Sequence, residues 1–226
     1  MPSVANDSGN KRITILPGKK HLILCEGKDD ESFISCFAGS GFLSRTDFDA
    51  IQVSQYYGKN NLRNTMRVLI NADGFLQIRS LLVFRDADDN IKSAQDSVKG
   101  AFGLVGLPVP QTECQWQDNG TIKTGFLLMP SCSAQPQEGA LEDLCWDILA
   151  EKHGPLIKEE VEGFIHSLEA DAKRSYVHRN KAVLHTYFSA TEGLISASVG
   201  RAAEAGAFDW TSEKLQPLRD FLISMV

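Results

Sequence analysis

The chain has no excess of positive charge: 23 Lys and Arg stand against 29 Asp and Glu, a formal net charge of −6. Gripping nucleic acid by overall charge requires Lys and Arg to neutralise phosphates, so that mode is excluded. A local basic groove, or metal ions supplying the positive charge, remains open. Long apolar runs are also missing. None approaches the roughly 20 residues of a membrane helix. The opening MPSVANDSGNKR has no apolar core of the secretory kind, so a cytoplasmic location is expected. Cysteines are few, odd in number and widely spaced (Cys25, Cys36, Cys114, Cys132, Cys145). With no C-x-x-C pair and no Cys/His cluster, neither a disulfide frame nor structural zinc is favoured, and reduced, mostly buried thiols are expected. The chain also lacks H-E-x-x-H, G-x-S-x-G, P-loop and G-x-G-x-x-G patterns. Serine-hydrolase, nucleotide-triphosphatase and dinucleotide readings therefore have no support.

What is present is strand–helix alternation. His21–Cys25 is a short apolar run ending abruptly in Glu26-Gly27-Lys28-Asp29-Asp30, the pattern of a buried strand. A helix follows, capped by Asp29 or Asp30, with Phe33, Ile34, Phe37 and Ala38 on its apolar face. Phe48–Gln55 reads as a second strand, and residues 61–72 as a helix carrying Leu62, Met66, Leu69 and Ile70. Leu81–Phe84 is a third strand, again ending in acid, Asp86-Ala87-Asp88, with Asp89 or Asn90 capping a helix from Ile91 to about Phe102. Phe126–Met129 is a fourth, pairing with the region of Trp116 through Asp118-Asn119-Gly120. From Glu138 onward only helices are expected, at 139–151, 158–178, 181–189, 193–206 and 212–225. The fold class is thus α/β: a parallel sheet flanked by helices, followed by a helical C-terminal part. The expected division is a loose tail over 1–18, an α/β domain over 19–135, and a helical region over 136–226 packed on it.

Parallel sheets place sites beyond the carboxyl ends of their strands. There the first strand delivers Glu26, and the third delivers Asp86 and Asp88 on an extended stub that should point both carboxylates alike. Three converging acids suit a hard divalent cation, which takes a few carboxylates and completes its shell with water and substrate phosphate. Bland explanations compete at the other acids. Asp29 and Asp30 fit helix capping better than catalysis, and the helix dipole explains Glu138, Glu142 and Asp143 as well as a metal does. The basic stretch Lys173, Arg174, His178, Arg179 and Lys181, and the set Lys59, Asn60, Asn61, Arg63 and Arg67, are either phosphate-facing strips or solvated faces.

Leu24-Cys25-Glu26-Gly27-Lys28-Asp29-Asp30 followed by Phe84-Arg85-Asp86-Ala87-Asp88 resembles the Toprim domain of primases, topoisomerases, recombination-repair proteins, small RNA maturases and OLD-type nucleases. The resemblance covers about residues 19–135. It implies Glu26 as the family's acid/base or metal-linked glutamate and Asp86 and Asp88 as Mg²⁺ (or Mn²⁺) ligands. Asp30 stands where OLD-type nucleases carry a second acid. After Asp88 the chain reads Asp89-Asn90-Ile91, not the small-residue and Gly step of primases and maturases, which draws it towards the OLD-like and stand-alone Toprim proteins. Glu138–Asp143 is similar to a third acidic element of those relatives, with Glu142 as a further metal ligand, and Lys181 to their downstream catalytic lysine.

The implied function is a metal-dependent phosphoryl-transfer enzyme, a nuclease on DNA or RNA, with Lys28, Lys59 and Arg63 facing substrate. The alternative is a non-catalytic module binding nucleic acid or a nucleotide within a repair or defence complex. Nucleic acid is the expected partner, with no membrane. Any ATP-driven step would need a separate ATPase chain, and a homodimer is compatible with the sequence.

Overall fold

The computed structural model describes residues 13–133, 135–172 and 179–226. Strand β1 (His21–Cys25) lies at the centre of the parallel part of a five-stranded sheet ordered β2-β1-β3-β5-β4. Its neighbours are β2 (Ile51–Gln55) and β3 (Ser80–Asp86), and both pair with it in parallel. Strand β5 (Lys123–Met129) runs parallel to β3, and the two-residue β4 (Gln117–Asp118) closes that edge antiparallel to β5. The crossovers are α1 (Lys28–Ala38) with the short α2 (Arg45–Ala50), then α3 (Leu62–Leu69), and α4 (Ile91–Leu104). Helices α5 (Leu141–His153), α6 (Pro155–Ala172), α7 (Arg179–Ser189), α8 (Val199–Glu204) and α9 (Gln216–Met225) follow, and no strand appears among the described residues beyond β5.

Strand alternation divides the core in two. Ile23, Cys25, Leu82, Phe84, Leu127 and Met129 face one way and form a single cluster with α1 and buried residues of α5 to α9. Leu22, Leu24, Leu81, Val83, Phe126 and Leu128 face the other way and meet α3 and α4. The helical C-terminal part, together with α1, therefore supplies one layer of a three-layer structure.

Several expectations need correction. The packed body begins before residue 19: Ile13 and Ile15 are buried against the α3/α4 layer, and Gln52 Oε1 accepts the Leu16 amide at 2.9 Å. The rest of the expected tail, residues 1–12, lies outside the described residues. The second strand starts at Ile51, because residues 45–50 form α2 with Ser44 accepting the Asp47 amide as its cap. Helix α1 has Gly27 at its N-cap, and Asp30, one of the two expected caps, closes on it by accepting the Gly27 amide. Of the two caps expected for α4, Asn90 is the one used, its side chain accepting the Ser93 amide as expected. The helix expected over 193–206 shrinks to α8, preceded by turns with positive φ at Gly193 and Ser196. Residues 173–178 of the expected 158–178 helix, with Lys173, Arg174 and His178, lie outside the described residues.

Candidate active site at the carboxyl edge of the sheet

In the parallel register Cys25 lies opposite Phe84, so Glu26 is level with Arg85 and Asp86 stands one residue further out. Alternation then sends Glu26 and Arg85 towards the α3/α4 layer and Asp86 towards α1 and α5. The acids straddle the edge of the sheet and meet above it.

Each is held by a backbone amide. Glu26 Oε1 accepts the Lys59 amide at 3.1 Å, and its carbonyl accepts the Gly58 amide at 2.9 Å. Asp30, in the first turn of α1, accepts the Gly27 amide at 2.9 Å. Asp86 Oδ1 accepts the amide of Leu141, the first residue of α5, at 3.0 Å. Glu142, next along α5, pairs with Lys181 of α7 at 3.1 Å. Glu26, Lys28, Asp30, Asp86, Glu142 and Lys181 line one cleft of about 430 Å³, together with Asp29, Gln55 and Tyr57.

Carboxylates sharing a cleft disfavour one another's ionisation. Burial pushes the Asp30 carboxyl up to about 6, and the charges of Glu26 and Glu142 add to this against the Gly27 amide. Asp86 is raised well above the usual carboxylate range by burial, then by Asp30, Glu142 and Glu26. Glu26 is raised by burial and by Asp88, with Arg85 opposing. At Lys181 burial works against the charge, yet Glu142, Asp86 and Asp30 outweigh it and raise its ammonium above the ordinary value. The cleft is a concentration of negative charge short of cations.

Asp88 departs from the extended stub expected of it. Strand β3 stops at Asp86, and Asp88 sits in the left-handed region at φ 54. Two backbone hydrogen bonds with Gly139, of 2.8 and 2.7 Å, hold it there. Gly139 in turn has φ +135, and a Cβ on it would lie 2.6 Å from Asp143 Oδ2. The Asp88 carboxylate therefore turns to Lys59 Nζ at 3.3 Å and is not among the side chains lining the acid cleft. Lys59 answers Asp88 at the rim of the site, and Lys28 pairs with Glu31 at 3.1 Å. Arg63 lies away from the cleft, between α3 and α4. Among the described residues no three His, Cys, Asp or Glu side chains are gathered closely enough to hold an ion as they stand.

Sequence reasoning missed two features of this edge. Asp29 clasps α8: its Oδ1 accepts from Ser198 Oγ at 2.6 Å and from the Gly200 amide at 3.0 Å. It acts as a cap, but of a helix whose Ser198 lies 169 positions away. Arg85 is buried behind Glu26 and Tyr56, and an arginine inside an otherwise apolar strand is the signal that could have found it.

No curated protein matches the chain. Among solved structures, the C-terminal region of the Xanthomonas campestris pv. campestris OLD protein is similar at a TM-score of 0.44 and 11% identity, over 92% of this chain and 96% of that one. At that score the likeness carries no weight. The family described as "Protein of unknown function (DUF3226)" matches residues 20–226, nearly all of the packed body laid out above, and the chain belongs to that family.

Proposed function

We propose that the cleft is a divalent-metal phosphoryl-transfer site, and that the protein is a nuclease acting on DNA or RNA. The observation that carries this reading is the meeting of Glu26, Asp30, Asp86 and Glu142, from three separate segments, around one cleft that also holds Lys181. Mutually repelling, half-buried carboxylates are costly to keep unless a cation offsets them. The donor set is all oxygen, as Mg²⁺ or Mn²⁺ prefers. It also has spare capacity: Glu26 Oε2 is buried with no hydrogen-bond partner among the described residues, and Asp86 commits one oxygen to Leu141. Asp86, Glu26 and a third acid, Asp30 or Glu142, would hold the ion, with Asp88 joining if its contact with Lys59 opens. When bound, a divalent ion offsets phosphate charge and lowers the pKa of a coordinated water. The protein's own groups orient and exchange protons. Glu26, with one oxygen fixed by the Lys59 amide and the other free, is placed to take a proton from an attacking water. Lys181, fixed by Glu142, presents its ammonium to charge building on the phosphate. The Toprim resemblance adds the expectation of the same chemistry.

One observation favours a second reading. The carboxylates are not gathered for an ion as they stand, and Asp30 and Asp86 already serve as caps of α1 and α5. A non-catalytic module that binds nucleic acid would leave them so. Incubation of the protein with Mn²⁺ and supercoiled plasmid, single-stranded DNA or RNA decides between the two. Cleavage that Asp86→Asn abolishes supports the enzyme. Binding without cutting on all substrates leaves the module.

A further inference from the structure

On the far face of β3 from Asp86 lies a second feature, which the acid cleft does not use. Arg85 follows Leu81 and Val83 on the α3/α4 side and is only 6% exposed. Its Nη1 donates to Ser97 Oγ of α4 at 2.8 Å, and its Nε is buried with no partner among the described residues. Among the described residues no carboxylate lies within the 4.0 Å of an ion pair, and Glu26 acts on it only from beyond that distance. A buried cation without a paired anion is expensive.

Ser97, which Arg85 holds, lines a groove of about 450 Å³ between α3 and α4, with Arg63, Asn90, Lys92, Ser93 and Asp96. The groove opens at the N-terminal end of the 14-residue α4, the positive end of its dipole. Arg63 and Lys92 form no ion pair among the described residues, and the Arg63 guanidinium rests against Gly100, where an added Cβ would come within 2.9 Å of its Nη2. Asp96 is the sole acid in the lining. In an acidic protein, two free cations in front of a third, buried and short of a counter-ion, make a local reversal of sign.

We propose that this groove binds a phosphate of a nucleic-acid strand, held by Arg63 and Lys92 and favoured by the Arg85 charge behind Ser97. The proposal rests on the nucleic-acid reading of the acid cleft and extends it. The strand passes over the end of β3, with one phosphate at Asp86 and a flanking one in the groove. Ser93 and Ser97 hydroxyls suit phosphate oxygens, and a contact to phosphate fixes position without regard to sequence.

The test measures binding of the full-length protein to a labelled single-stranded oligonucleotide in EDTA, across a range of salt. Arg63→Ala with Lys92→Ala, both at exposed positions, should weaken binding about tenfold at low salt and flatten the salt slope by about 0.7 for each lost phosphate contact. Asp96→Asn should tighten binding. Arg85→Gln, which keeps a donor for Ser97 and removes the charge, should weaken it. Inorganic phosphate should compete with the oligonucleotide in wild type and lose that effect in the double variant. An unchanged salt slope in the double variant overturns the groove even if the protein cuts nucleic acid with Mn²⁺. A flattened slope in a protein that never cuts upholds the groove and overturns only the enzymatic reading.

Discussion

The carboxylate of Asp86 and the backbone amide of Leu141 are joined by a 3.0 Å hydrogen bond that ties the end of the central sheet to the first turn of the C-terminal helices. The same aspartate is the most strongly crowded acid in the cleft, since Asp30, Glu142 and Glu26 all bear on it. Structural and chemical roles coincide in one side chain, and a substitution can separate them.

Asp86→Asn keeps an oxygen to accept the Leu141 amide and removes the buried negative charge. Without divalent metal the variant is expected to melt higher than wild type, because a crowded, desolvated carboxylate is lost. With millimolar Mn²⁺ the order should reverse: a cation binding only the folded state stabilises it, and the variant lacks a ligand for that cation. Thermal melts of both proteins with EDTA and with Mn²⁺ check this. A variant that gains as much from metal as wild type places the ion elsewhere.

Glu26→Gln retains size and an oxygen for the Lys59 amide while removing the basic oxygen. Folding and oligonucleotide binding should survive. Turnover should fall about 10²–10⁴-fold, the usual share of proton transfer. Lys181→Met should also slow cleavage, by removing charge stabilisation, and should raise the pH needed to ionise its neighbours. Single-turnover rates across pH separate the two, and a Glu26→Gln enzyme as fast as wild type would move the acid/base role to another residue.

Glu113 offers a pH dependence apart from the cleft. It is buried, one oxygen accepts the Leu128 amide at 3.1 Å, and the other has no partner among the described residues. Burial pushes its carboxyl from 4.5 up to about 7, against that amide. The folded state thus holds the proton more tightly than the unfolded chain. The contribution is fully present below about pH 4.5 and is lost as pH rises towards 7. A tenfold change in proton affinity corresponds to about 1.4 kcal/mol, so the loss is on the order of 3 kcal/mol. Glu113→Gln should remove it. Urea unfolding at pH 5 and pH 8 is expected to show the variant gaining on wild type at the higher pH, and an equal offset at both would contradict this.

Gly200 lets α8 approach α1. A Cβ there would stand 2.8 Å from Asp29 Oδ1 and 2.9 Å from Ser32 Cβ. Gly200→Ala should destabilise by about 1–3 kcal/mol, as overpacking does. It should also loosen the Asp29 clasp at the lip of the cleft, lowering activity beyond the loss of folded protein. Denaturant titration alongside specific activity checks both.

These features differ in how far the sequence exposes them. Strands β1 and β3 are legible because apolar runs of that kind end in acids, and that places Glu26 and Asp86 at one edge. The span from Phe48 to Ala50 misleads: its alternation with the residues that follow fits a strand, and the Ser44 cap makes it the end of a helix. Asp88 misleads for another reason. Its direction is set by two hydrogen bonds to Gly139, a partner far along the chain. Asp29 has the pattern of a local cap and proves to be a distant one. Glu113 carries no signal at all, because its burial depends on the packing of segments remote from it.

The clasp between Asp29 and α8 has a consequence for the order of events during synthesis. Its two halves are 171 positions apart, and Ser80 at the start of β3 donates to the carbonyl of Met225 across 145. Strands β1, β2 and β3 can pair as they leave the ribosome, since their partners are near in sequence. The cleft cannot. Contacts of such separation form late, because a long loop must close before they return anything. Glu26, Asp30 and Asp86 would therefore be present on a nascent sheet long before Glu142 and Lys181 join them.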